Sequence, residues 1–115
     1  MAVLLELSDL PDSPSAAASV FHTEWLPRAK ILLDDGAHCL TLAFPAANHT
    51  HTAWRLAAVQ SLAREHAPAR INGTAGGSVA AIAAALAYLE AADGVTGQYL
   101  LLDDSGAGPV VVSAA

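Results

Sequence analysis

The chain alternates short runs rich in leucine and β-branched residues with alanine-rich stretches, and this alternation constrains its fold most strongly. Residues 3–7, 38–44, 70–72 and 98–102 have the length and composition of strands. The 27 alanines concentrate between these runs, where they favour helices. The sequence therefore predicts an α/β fold with about four parallel strands in sequential order and three main helices.

The helices begin and end at recognisable residues. The first helix is expected to open at Ser13 and Pro14, and Pro27 is expected to kink or end it before a further turn. The second is expected over residues 52–66, since Pro68 prevents its continuation. Ser78 is the predicted cap of the third, which runs to about residue 92.

Two further segments are predicted to be irregular, at least in part: the residues after the third strand and the C-terminal tail. Residues 73–77 are predicted to form a flexible glycine-rich turn, and the tail over residues 106–115 is expected to be flexible at first and then β-prone. The sequence contains no internal repeat and no recognisable linker. We therefore expect residues 1–115 to form a single domain.

The composition excludes several classes of partner and location. Hydrophobic residues make up 54% of the chain and charged residues 14%, which favours a folded core over disorder. A net charge of −6 lacks the positive surface that nucleic acids and anionic membranes attract. No basic leader and no apolar run of about 18 residues is present. The single cysteine, Cys39, has no internal disulfide partner. These features predict a soluble, cytoplasmic protein that binds neither nucleic acid nor membrane.

Two segments are similar to short-chain dehydrogenases/reductases. Residues 61–77 read SLAREHAPARINGTAGG and resemble the family's pattern SLAxExAP…IRVNxIxPG. Residues 84–104 place a helix, a VTGQ turn, a strand and an acidic end in the order of the family's C-terminal region. A weaker likeness upstream includes the segment from Trp25 to Arg28. The resemblance covers about residues 16–105 and is strong only from Trp54 onward. The resemblance implies a truncated Rossmann-like domain of two or three layers, with the third helix on the opposite face of the sheet from the other two.

The departures from the family pattern bear on activity. The sequence contains no GxxxGxG turn of the kind that receives cofactor phosphates. The positions of the family's catalytic tyrosine and lysine fall on Asn48 and Thr52, and neither side chain can perform that proton transfer. We therefore expect no catalytic residues, no bound cofactor and no oxidoreductase activity.

Other polar residues suggest weaker site hypotheses. His49 and His51, with His38 nearby, suggest a metal, but no cluster of Cys, Asp or Glu supports it and we expect none. His51 and Arg55 have the four-residue spacing of a displaced acid and cation. The turn from Gly73 to Ser78 can be interpreted as a phosphate cradle at a helix N-terminus, or simply as a tight strand-to-helix turn.

The third helix suggests association with a partner. Val79, Ile82, Ala83, Leu86 and Leu89 form an apolar stripe, but alanines also cover the other side. In the resembled family, the first two helices pair in a four-helix dimer contact. We therefore hypothesise a non-catalytic subunit that oligomerises with itself or with a full-length reductase. The candidate interface residues are Trp25, Trp54, Ala58, Leu62, Ala81, Ala85 and Tyr88.

A second hypothesis belongs to another functional class. The chain is then a small ligand-binding protein or enzyme that uses a cleft between subunits. That cleft lies near His49 and His51, or at the turn from Gly73 to Ser78. The oligomeric state and the binding of small molecules distinguish the two hypotheses.

Overall fold

Among the residues that the structure describes, five strands form one sheet in the order β1-β2-β3-β4-β5. The computed structural model describes residues 1–103 and 111–112. The first four strands, β1 (Ala2–Glu6), β2 (Cys39–Phe44), β3 (Arg70–Ala75) and β4 (Tyr99–Leu101), are parallel neighbours. The predicted α/β arrangement with sequential parallel strands is confirmed.

The tail contributes a short strand that the sequence indicated only as β-prone. In β5, Val111–Val112, the backbone pairs antiparallel with β4. The predicted flexible part of the tail lies outside the described residues. The sheet is therefore a mixed one, with four parallel strands and one antiparallel strand.

The first helical segment runs through Pro27 instead of ending there. It consists of α1 (Pro14–Val20), a π-helical turn (Phe21–Trp25) and α2 (Leu26–Asp34). The Leu26 amide donates to the Phe21 carbonyl, five residues earlier. A proline ring would strike the carbonyl four residues before it in a regular helix. The wider π turn directly before Pro27 relieves that conflict, so the expected break is a local change of helix type.

The helices cover both faces of the sheet. On one face, Leu40, Leu42 and Phe44 of β2 pack in the core with the first helical segment and with α3 (Thr52–Glu65). On the other face, Cys39 of β2 lies against α4 (Val79–Ala91), with its Sγ 3.8 Å from the Leu89 carbonyl oxygen. The third main helix therefore lies opposite the first two, as the family resemblance implied. The β3–α4–β4 connection consequently has the opposite hand to β2–α3–β3.

The residues expected to form a flexible turn after β3 belong largely to the strand itself. Gly73, Thr74 and Ala75 are paired in β3, and only Gly76 and Gly77 form the turn, with φ of +70° and +88°. A Cβ atom at Gly73 would lie 3.0 Å from Val59 Cγ2. This glycine is therefore required because a side chain would prevent close packing between strand and helix. It is not required to form a turn.

Candidate functional site

A cavity of about 350 Å³ opens beside the carboxyl ends of β1 and β2. In open α/β sheets, ligands bind outside the carboxyl ends of the strands. The cavity lies between the loop after β1 and the segment that joins β2 to α3. We call it the Arg55 cavity, and its lining residues are Leu10, Pro11, Asp12, Pro45, Ala46, Ala47, Asn48, His51 and Arg55.

Arg55 is the charged group buried in this cavity wall. Only 1% of its surface is exposed. Its Nη1 donates to the Pro45 carbonyl oxygen at 2.8 Å and to the Tyr99 hydroxyl at 3.1 Å. Its Cζ lies 4.8 Å from the centre of the Phe44 ring. The Nε group has no hydrogen-bond partner, and no described carboxylate pairs with the guanidinium, so Arg55 is a buried cation with an unused donor.

His51 is buried beside Arg55, but both of its ring nitrogens are engaged. Its Nδ1 accepts a hydrogen bond from Trp54 Nε1 at 3.1 Å, and its Nε2 lies 2.9 Å from the Asp12 carbonyl oxygen. Because an indole nitrogen can only donate, the proton is on Nε2 and points to Asp12. His51 therefore attaches α3 to the loop after β1, and both of its ring nitrogens are used in these two hydrogen bonds.

The two positions equivalent to the catalytic pair of the resembled family have structural roles. Asn48 caps the short 3₁₀ turn His49–His51: its Oδ1 accepts from the Thr50 amide at 3.0 Å and also contacts the Thr50 hydroxyl. Thr52 is the first residue of α3. Neither side chain ionises in the range that the proton transfer needs.

The metal hypothesis is not supported by the positions of the histidines. His38 precedes β2 and His49 follows it, so they lie at opposite ends of that strand. Within residues 1–103, no group of three His, Cys, Asp or Glu side chains is placed to hold a metal ion.

A second cavity, of about 340 Å³, lies at the same edge of the sheet and includes the Gly76 and Gly77 turn. The Gly76 amide donates to the Phe44 carbonyl at 3.1 Å, and Ser78 Oγ accepts from the Ala81 amide at 3.1 Å. Gly73 is buried within the sheet. Because Gly73, Thr74 and Ala75 belong to β3, the segment that could form a phosphate cradle is limited to Gly76, Gly77 and Ser78.

The described residues also do not fit the nicotinamide dinucleotide that the resembled family uses. The loop that follows β1, residues 7–13, contains no glycine, and close backbone approach to a pyrophosphate depends on glycines at such a turn.

Burial divides the seven predicted interface residues into two groups. Ala58 and Leu62 of α3, and Ala81 and Ala85 of α4, are already buried in the chain's own packing. They therefore contribute little surface to a partner. Three residues retain accessible area: Trp25 and Trp54 are half-buried, and Tyr88 is 52% exposed.

The orientation of α4 also differs from the predicted apolar stripe. Val79 is 86% exposed and Ala83 is exposed, while Ala81, Ala85 and Leu89 face the sheet. Since nearly every residue of α4 is apolar, periodicity did not determine which side is buried. Sequence reasoning consequently missed Val79 as an exposed residue.

Comparisons with known proteins agree with this fold. A model of the family described as short chain dehydrogenase-like protein matches residues 5–102. Neither a search of curated proteins nor a search of solved structures found a match. No described helix has the length and hydropathy needed to cross a membrane. The family match includes every parallel strand and main helix except the first residues of β1, so the chain belongs to the short chain dehydrogenase-like family.

Proposed function

We propose that this chain is a non-catalytic short chain dehydrogenase-like subunit that associates with a second copy of itself. A complete reductase is the alternative partner. The positions Asn48 and Thr52 support the absence of catalysis, because the first is used as a helix cap and neither can supply a phenol beside an ammonium. The subunit then contributes a surface to an assembly, and any chemistry belongs to its partner.

The observation that carries the proposal is the outer face of α4. Glu90 is the only charged residue in this helix of 13 residues. Its sheet-facing side is buried. The outer side carries the exposed Ala80, Ala83 and Ala87, with Val79 and Tyr88 at its opposite edges and Glu90 near its C-terminal end. Such a face, apolar except for one charge, is stabilised when a partner removes its apolar area from water, by roughly 25 cal/mol per Å² before the entropy of association.

The outer side of α3 offers a second surface. Ala53, Ala57 and Ser61 are exposed and lie four residues apart, so they form one stripe along the helix. Such small side chains allow the backbone of another helix to approach closely. The half-buried Trp54 adjoins this stripe, and aromatic residues at the rim of a core often anchor interfaces.

The free edge of β1 adds to this argument. Within the described residues β1 pairs only with β2, so its other edge has unpaired backbone donors and acceptors. Such an edge can accept another strand unless it is covered. A partner that covers both this edge and a helix face would pair the free backbone groups of β1 and bury the exposed apolar side chains of the helix.

Sedimentation equilibrium at micromolar concentration tests the proposal. We expect a dimer for the wild-type chain. Ala57→Glu on α3 and Ala83→Glu on α4 each add one charge to an exposed position, and at least one should shift the equilibrium to monomer by tenfold or more, about 1.4 kcal/mol. Ser8→Glu, in the loop after β1, is the matched control and should not.

A wild-type chain that is monomeric alone, and that forms no complex with a reductase in native mass spectrometry, would contradict the proposal. If Ala57→Glu alone dissociates the dimer, the interface lies on the first helices. If Ala83→Glu alone does so, it lies on α4. Circular dichroism of each variant establishes that the fold is retained.

A further inference from the structure

We infer that the Arg55 cavity binds a small organic monocarboxylate whose carboxylate group pairs with the Arg55 guanidinium. This inference does not depend on the proposed function, because the cavity is formed within one chain. It concerns binding only, since both nitrogens of His51 are already occupied.

The charge of Arg55 is the first argument. A buried cation is unfavourable unless an anion and hydrogen-bond acceptors compensate it. Arg55 has two neutral acceptors, the Pro45 carbonyl and the Tyr99 hydroxyl, and two aromatic rings nearby. Its Nε has no acceptor. A carboxylate bound in the cavity would supply the missing negative charge beside the guanidinium. The Nε atom is itself buried, so it is not the atom that this ligand contacts.

The lining of the cavity indicates the class of anion. The guanidinium supplies a single positive charge and Asp12 contributes to the same wall, so a ligand with one negative charge is repelled less by Asp12 than a doubly charged phosphate. Leu10, Pro11 and Ala47 provide an apolar surface on the loops. A carboxylate with a short apolar body fits both features, and a volume of about 350 Å³ is at the small end of ligand cavities.

The internal alternative is that Asp12 itself neutralises Arg55. In the structure, the backbone carbonyl of Asp12 is held by His51, and its side chain is exposed. No ion pair joins the Asp12 carboxylate to Arg55. The Arg55 guanidinium can therefore pair with an anion from solution. We expect the Asp12 carboxylate to weaken the binding of that anion.

Titration of the full chain with butyrate, followed by calorimetry and, in a Trp25→Phe variant, by the fluorescence of Trp54, tests this inference. Trp54 is a suitable reporter because its ring centre lies 5.7 Å from Arg55 Cζ. Butyramide has the same shape without the charge and is the matched control ligand. We expect saturable binding of butyrate, and binding of butyramide at least about tenfold weaker.

Two variants locate the binding site. Arg55→Met keeps an unbranched side chain in the core without the charge, and should weaken butyrate binding at least about tenfold. Asp12→Asn removes the opposing charge at an exposed position, and should strengthen binding severalfold. The second variant keeps the inference testable if Arg55→Met does not fold.

Three results would overturn the inference. The first is that butyrate binding does not saturate up to about 50 mM, because a specific carboxylate site would bind more tightly than that. The second is equal binding of butyrate and butyramide. The third is a loss of stability in Asp12→Asn with no gain in butyrate affinity, because Asp12 would then be the anion that compensates Arg55.

Discussion

Trp54 Nε1 donates a hydrogen bond to His51 Nδ1 at 3.1 Å, and this contact determines which nitrogen of the imidazole carries the proton. The proton on Nε2 then reaches the Asp12 carbonyl at 2.9 Å. One buried ring thus links the start of α3 to the loop after β1. The same contacts position Trp54 against Phe21 and Phe44 in the core.

The first prediction concerns this link. His51→Ala removes an acceptor for the indole and a donor for the Asp12 carbonyl, and leaves a space in the core. We expect the free energy of unfolding to fall by about 1–3 kcal/mol. His49→Ala, at an exposed position two residues away, should change it by no more than about 0.5 kcal/mol. Urea denaturation measures both, and equal effects would contradict the role assigned to His51.

Arg70 gives the second prediction. Its Nη1 lies 2.6 Å from the carbonyl oxygens of both Leu89 and Ala92, and its Nη2 lies 3.1 Å from that of Glu90. The guanidinium therefore satisfies carbonyls that the end of α4 leaves without helical partners. Because Arg70 is only half-buried, we expect Arg70→Met to cost about 1–2 kcal/mol of stability.

Hydrogen exchange can localise that effect. The amides in the last turn of α4 should exchange faster in Arg70→Met, while those of α3 should not change. Arg64→Met, at an exposed position on α3, is the matched control. An unchanged exchange pattern at the end of α4 would show that Arg70 does not stabilise this helix terminus.

The third prediction follows from the packing of Gly73. Gly73→Ala places a methyl group 3.0 Å from Val59 Cγ2 and 3.3 Å from the Phe44 ring. Val59 is β-branched and has little rotamer freedom in a helix, so we expect a loss of about 1–3 kcal/mol. At Gly94 nothing lies within 4 Å of an added Cβ, and Gly94→Ala should leave stability unchanged or slightly higher.

A second substitution tests the cause. Combining Gly73→Ala with Val59→Ala makes room for the new methyl group, so the double variant should be more stable than the sum of the two single effects predicts. Chemical denaturation of the four proteins completes this cycle. Strict additivity would indicate that the Val59 contact is not what excludes a side chain at Gly73.

The sequence predicted the strand order well because β1, β2 and β4 are apolar runs bounded by polar or glycine residues. It predicted β3 too short, because Gly73 and Gly76 appear as the same turn signal although only Gly76 has a positive φ. Propensity alone cannot distinguish a glycine required for packing from one required for a turn. The difference is determined by Val59, which is distant in sequence.

The candidate site was only partly predictable. The spacing of His51 and Arg55 indicated that both lie near one another on a helix, and the structure places both in one cavity wall. The partners of these residues, Asp12, Pro45 and Tyr99, come from three other segments. Those contacts depend on strand register, so local sequence patterns do not reveal that Arg55 lacks an anionic partner.

The last prediction tests the orientation of α4, where the alanine-rich sequence was ambiguous. Ala85 is completely buried against the sheet, while Ala83 is exposed. Ala85→Leu inserts three carbon atoms into a packed layer and should destabilise the chain by about 1–3 kcal/mol. Ala83→Leu has the same difference in helix propensity, but its side chain lies on the outer face, away from the packing against the sheet, so the free energy of unfolding of the single chain should stay within about 0.5 kcal/mol of wild type. Thermal and urea denaturation of the two variants compare them directly. The reverse result would mean that α4 packs on the sheet through the stripe of Val79 and Ala83.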